Sequence, residues 1–217
     1  MPPTGDRFFA LEEVGGLPHP QESIPSHLQP GASDMDLLQN SAALSVETRQ
    51  LGSWIRVAVT VKNTGAGHHL PTDHPGRHLI LTIEVEDGQG QQLSQVAGPR
   101  VPDWGGPQAG QPGTVFAKVL RDLETGEQPV VNYWRPSAVA ADNRIPARES
   151  DVSVYYFSAP TSEDTVTISA ELRFRRIFQP LMDAKGWPTP DIIMEKALDS
   201  TSVEPWQIRF LPILINQ

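Results

Sequence analysis

The 217-residue chain has no cysteine. That excludes disulfides, thiolate metal sites, cysteine nucleophiles and covalent haem attachment within this chain. Basic residues are few, 17 Lys and Arg against 26 Asp and Glu, for a formal net charge of -9. Such a balance disfavours nucleic acid, whose phosphates need a dense basic face. No stretch approaches the roughly 18 consecutive apolar residues of a membrane span. The opening MPPTGDRFF lacks a basic segment followed by an apolar one, so the expectation is either a cytoplasmic protein or a secretion signal outside this sequence. Also missing are internal repeats, a Gly-x-Ser-x-Gly elbow and the His-Glu-x-x-His helix of metalloproteases. Proline and glycine, by contrast, are abundant at 21 and 17, which asks for many turns and argues against a helix-dominated fold.

Up to about residue 40 the sequence is polar and Pro/Gly-rich, around GGLPHPQESIPSHLQPG. It predicts an extended, polyproline-like arm over 1–40, followed by one domain over 41–217. Ser33 is placed to cap a short turn carrying Met35, Leu37 and Leu38. In SWIRVAVTVKN, Ile55, Val57, Val59 and Val61 alternate with Arg56, Ala58 and Thr60, the period of a strand with one buried face. RHLILTIEVED repeats the pattern with Leu79, Leu81, Ile83 and Val85, and Asp87-Gly88 signals a hairpin turn into QQLSQVA. TVFAKVLRD, SDVSVYYFSA, TVTISAELRFRR and WQIRFLPILI predict further strands, and Thr189-Pro190 opens a predicted helix over 189–199. Seven or eight alternating strands without a strand-helix-strand rhythm predict an all-β, antiparallel immunoglobulin-like sandwich with one short helical insertion near the C-terminus.

Between the two clearest strands lies NTGAGHHLPTDHPGRH, which holds four of the six histidines. His68, His69, His74, His78 and Asp73 are of metal-ligating type. Adjacent His68 and His69 point to opposite sides of an extended chain, however, and Pro71 and Pro75 forbid a helix that would bring two histidines to one face. The competing expectation is structural: Asn63 and Gly65 shape turns, Gly67 lets backbones approach, and a buried His68 imidazole satisfies backbone groups. Thr72 has no special claim to be an activated nucleophile. In ADNRIPARES, Asp142, Asn143 and Arg144 predict a turn with an internal ion pair, or a wall of a His68 site. Arg173 and Arg175 share one strand face, either to meet a carboxylate or haem propionate or as a solvated face with snorkelling stems. Trp104, Trp134 and Trp187 sit in Pro/Gly-rich loops and are expected to pin them to the sandwich.

The stretch VTVKNTGAGHHLPTDHPGRHLILTIEVEDGQGQQL, with DNRIPARES and ELRFRRIFQPLM after it, resembles the C-terminal sandwich domains of multihaem c-type cytochromes. The resemblance runs over roughly residues 25 to 185. It makes Asn63, Gly67, His68, Pro71, Thr72, Asp142 and Arg144 motif residues, while Asp73 stands where the family usually has glycine. The upstream SHLQPG resembles the family's His-x-x-Pro-Gly segment and so implies His27 as a distal haem ligand. Since no Cys-x-x-Cys-His occurs in this chain, the resemblance implies haem c carried by a partner chain or by another segment. It further implies an extracytoplasmic, non-enzymatic module that packs against a haem-bearing chain. The alternative from the residues alone is a metal-binding protein or metal-dependent enzyme centred on His68, His69 and Asp73.

Overall fold

The structure, a computed structural model, describes residues 5–25, 31–72, 74–132, 134–188 and 191–205. The chain divides into two compact units, Met1–Asp34 and Met35–Gln217. The first is not simply extended. Single 3-10 turns at Glu12–Val14, Gln21–Ser23 and Gly31–Ser33 break it up. Phe8 bridges back to Pro18, and the Phe9 ring meets His19 edge-on at 4.8 Å.

The second unit is an antiparallel sandwich, as the alternation predicts. Among its described residues a short helix α1 (Met35–Gln39) is followed by nine strands: β1 (Ala42–Leu51), β2 (Trp54–Asn63), β3 (His78–Glu86), β4 (Gln95–Ala97), β5 (Gly113–Asp122), β6 (Ser137–Asp142), β7 (Ser150–Ser158), β8 (Asp164–Arg175) and β9 (Ile192–Val203). Helix α2 (Gln179–Lys185) lies between β8 and β9. One sheet has the order β1-β2-β7-β4 and the other β6-β5-β3-β8-β9. Strands take up 47% and helix 14% of the structure, so the predicted all-β class holds. Ile55, Val57, Val59 and Val61 of β2 are fully buried, as are Leu79 and Leu81 of β3. Thr114 Oγ1 on β5 bonds Tyr155 Oη on β7 at 2.8 Å and so ties the two sheets together.

The predicted helix over 189–199 is corrected. From Ile192 onward the chain is β9, paired residue by residue with β8 from Asp164 to Phe174. A long edge of unpaired backbone on β8 outweighs the local signals, as tertiary context commonly does. The helix sits ten residues earlier, where Pro180 stands in the first turn and Gly186, at φ 63°, closes the last one in the left-handed conformation glycine adopts freely. The strand predicted at WQIRFLPILI lies outside the described residues. The 87–90 hairpin forms, with Leu93 N–H bonded to Val85 O, and the chain then crosses to the opposite sheet as β4.

β3 is buried on both faces. Its inner face fills the sandwich, while Ile80 on the outer face joins Val101, Val115 and Ala117 in a second small core against which Trp104 packs. A segment running from Val101 through the 3-10 stretch Asp103–Gln108 covers this face together with α2. That cover positions one end of the histidine loop.

Candidate functional site

The loop from 63 to 78 is built from Asn63 outward. This side chain is fully buried at the end of β2. Its Nδ2 donates to His68 O at 2.8 Å and to Ile145 O at 3.2 Å, and its Oδ1 accepts the Ala66 N–H at 3.1 Å. Leu70 then pairs with Ile145 through two backbone bonds of 2.8 and 2.9 Å. One buried amide therefore ties the start of the loop to the 142–149 segment. Glycine acts at 65 rather than 67: a Cβ on Gly65 would run into the Asn40 carbonyl, whereas one on Gly67 would meet nothing. The close approach expected of Gly67 is thereby corrected.

His68 is exposed, which corrects the expectation of a buried imidazole. Its Nδ1 lies 2.9 Å from His69 O. A carbonyl only accepts, so this contact requires the proton on Nδ1 and leaves the lone pair of the neutral ring on Nε2. His69 is exposed too and lies within electrostatic reach of Asp142. Asp142 and Arg144 form the predicted ion pair, Nε to Oδ1 and Nη2 to Oδ2 both at 2.7 Å. Their hydrogen bond holds the Asp142 carboxyl below the usual carboxylate range. Asn143 does separate work, taking the Ala117 N–H on Oδ1 and giving Nδ2–H to Val115 O.

The other end of the loop is the opposite environment. His78 opens β3 fully buried, with Nδ1 donating to Gly76 O at 2.9 Å. Its ring stacks on Phe178 at 5.0 Å and meets Trp104 edge-on at 5.5 Å. Nε2 has no hydrogen-bond partner among the described residues. Burial, with a smaller contribution from the Arg175 charge, lowers the pKa from 6.5 to about 4, so the ring is neutral at physiological pH. Beside it Arg175, 2% exposed, binds both carboxylate oxygens of Asp191 at 2.6 and 2.7 Å, Gly105 O at 2.8 Å and Gln108 Oε1 at 2.6 Å.

Arg175 therefore does meet a carboxylate, but one within its own chain, and the solvated face expected of it is corrected: the Asp103–Gln108 segment and Asp191 cover it. Trp104 pins its loop as predicted. Trp134 and Trp187 are 68% and 50% exposed, so neither is buried in the way that role requires. His74 takes the Gly76 N–H on its Nδ1 at 3.1 Å. Pro71 is buried and Thr72 half-buried. His27 and Asp73 lie outside the described residues. Among the described residues no three His, Asp or Glu side chains form a group able to hold a metal ion. Sequence reasoning missed the cluster of His78, Trp104, Phe178, Arg175 and Asp191. A signal existed, because HLILTI carries apolar residues in both parities and so calls for burial on both faces.

No protein-family profile matches the chain, and neither does any curated protein. Among solved structures it is similar to a penta-heme cytochrome c552 from Thermochromatium tepidum, with a TM-score of 0.60 and 21% identity over 87% of this chain and 44% of that one. The chain thus spans less than half the length of that cytochrome, and what the two share is a fold. A PapD-like domain of human CEP192 aligns over 86% of this chain and 97% of its own length at 9% identity, with a TM-score of 0.27 that carries no argument.

Proposed function

We propose that this chain is a haem-free, non-enzymatic sandwich module of a multihaem electron-transfer assembly, packing outside the cytoplasm against the chain or domain that carries the haems. The observation that carries this reading is the fit of nearly the whole chain onto less than half of a penta-heme cytochrome. The amino-acid content agrees with it. A chain without cysteine cannot make the thioether bonds of haem c, so the haems belong to a partner or to another segment. An imidazole of this chain could serve such a haem as an axial ligand, and His27 is one proposed source from the resemblance. No helix among the described residues is long and apolar enough to cross a membrane.

Of the metal-dependent alternative centred on His68, His69 and Asp73, the two imidazoles are exposed and Asp73 lies outside the described residues. The test of the module reading is recovery of the tagged protein from its source organism under mild conditions, followed by haem staining and absorbance. Haem c in stoichiometric amount, on the same polypeptide or on a co-purifying one, is the expected result. Stoichiometric recovery of the protein without haem absorbance would sink the reading.

A further inference from the structure

We propose that His68 is a haem-iron ligand supplied in trans, its Nε2 taking the open axial position of a haem carried by the chain or domain on which this module packs. The proposal rests on the module reading above and names the contact through which the module would act. Its first support is the tautomer. Histidines that bind metals through one ring nitrogen usually give the other N–H to a carbonyl or carboxylate, which fixes the ring and raises the basicity of the ligating nitrogen. The 2.9 Å contact from Nδ1 to His69 O does this for His68 and leaves the Nε2 lone pair on an exposed side chain.

A second support is the anchoring of the stem beneath the ring. The His68 carbonyl is held by the buried Asn63 amide at 2.8 Å, and the adjoining Leu70 is paired with Ile145 on both its N–H and its C=O. A ligand on so short a tether between two anchored residues has little orientation left to lose on coordination. The other described histidines of the loop fail one condition or the other. His78 holds its Nδ1 proton in the same way but is fully buried. His74 spends its Nδ1 lone pair on the Gly76 N–H, and among the described residues the Nδ1–H···O bond that orients His68 has no counterpart at His69.

The chemical class of the ligand suits the number of donors among the described residues. Free zinc or copper needs three or four protein ligands, and among the described residues no group of three is present. A haem iron already holds four porphyrin nitrogens and commonly one proximal histidine, so a single imidazole completes it. Coordination is a lone-pair donation from neutral Nε2 to iron with release of a bound water, and it involves no change in oxidation state.

The probe is an N-acetylated haem-c peptide with one histidine on iron and a weakly held water opposite, titrated with the purified chain and followed by its Soret and high-spin charge-transfer bands. The wild-type chain is expected to convert the probe to the low-spin form with a saturating curve. His68→Ala should lose about 10-fold or more in apparent affinity, while His69→Ala and His27→Ala stay within about 2-fold. Circular dichroism and urea melts of His68→Ala, an exposed position, check that it folds. A His68→Ala titration matching wild type, or a shift that follows His27 or His69 instead, overturns the proposal. The same variant recovered from the source organism separates the two claims. Haem recovered with wild type and variant alike, in an identical low-spin spectrum, would remove His68 as a ligand and leave the module reading standing. Haem missing from both preparations would bring down the module reading, and the ligand proposal that rests on it.

Discussion

His68 and His78, ten positions apart on one loop, make the same hydrogen bond: each gives Nδ1–H to a backbone carbonyl at 2.9 Å. Around His68 there is solvent; around His78 there are Phe178, Trp104 and, nearby, the Arg175 and Asp191 pair. An identical local contact therefore serves two ends. Where the ring is exposed, it leaves the Nε2 lone pair on a side chain open to solvent. Where the ring is buried, it satisfies one polar atom of a group that otherwise acts as an aromatic wedge. Burial, not hydrogen bonding, separates the two roles.

The largest expected effect lies beside the buried ring. Arg175→Ala leaves Asp191, Gly105 O and Gln108 without their shared partner, and breaking a buried ion pair from one side costs about 3–5 kcal/mol. Urea melts measure it, and a loss under about 1 kcal/mol would mean that this cover contributes little. Next, His78→Ala should cost about 2–4 kcal/mol from lost packing and an unpaired Gly76 carbonyl. His78→Phe keeps the stack and should fall within about 1 kcal/mol of wild type. A Phe variant as unstable as the Ala variant would contradict the view of His78 as a wedge.

The pH dependence sharpens the same point. The folded-state pKa of His78 is depressed from 6.5 to about 4, so the unfolded chain binds the extra proton between these values. Stability from this group is fully present above pH 6.5 and is lost as the pH falls through the window towards about 4. The lost amount approaches about 3 kcal/mol. His78→Phe should flatten that part of the profile; an unchanged slope would assign it to another group. At the exposed end, Asn63→Ala should cost about 2 kcal/mol by orphaning the His68 carbonyl and the Ala66 N–H. His68→Ala itself should stay within about 0.5 kcal/mol, as exposed substitutions do. Equal losses at positions 68 and 78 would erase the contrast between the two ends.

The sandwich was legible because its strands alternate. A residue at i and another at i+2 face the same way whatever the rest of the chain does, so Ile55 to Val61 and Leu79 to Val85 declare an inner face by themselves. The turn of Asp142 and Arg144 was legible for a similar reason, since an acid and a base two residues apart meet locally. The site was less so. Sequence assigned His68 the wrong burial, and of its two readings of Arg175, a partner for a carboxylate or a solvated face, the second failed.

What the amino-acid sequence determined by itself is therefore whatever depends on neighbours in the chain: the absence of thiolate chemistry, the strand period, the turns and the local ion pair. Tertiary structure alone decided which histidine is buried and which is free. His78 is enclosed by Trp104, Phe178 and Arg175, residues 26 to 100 positions away, because β3 and β8 pair side by side and the 101–112 segment folds over them. Residues 189–199 carried the signals of a helix, yet Ile192–Val203 became a strand because β8 offered a row of unpaired backbone groups. Burial and sheet pairing are sums over partners distant in sequence, and no local window contains them.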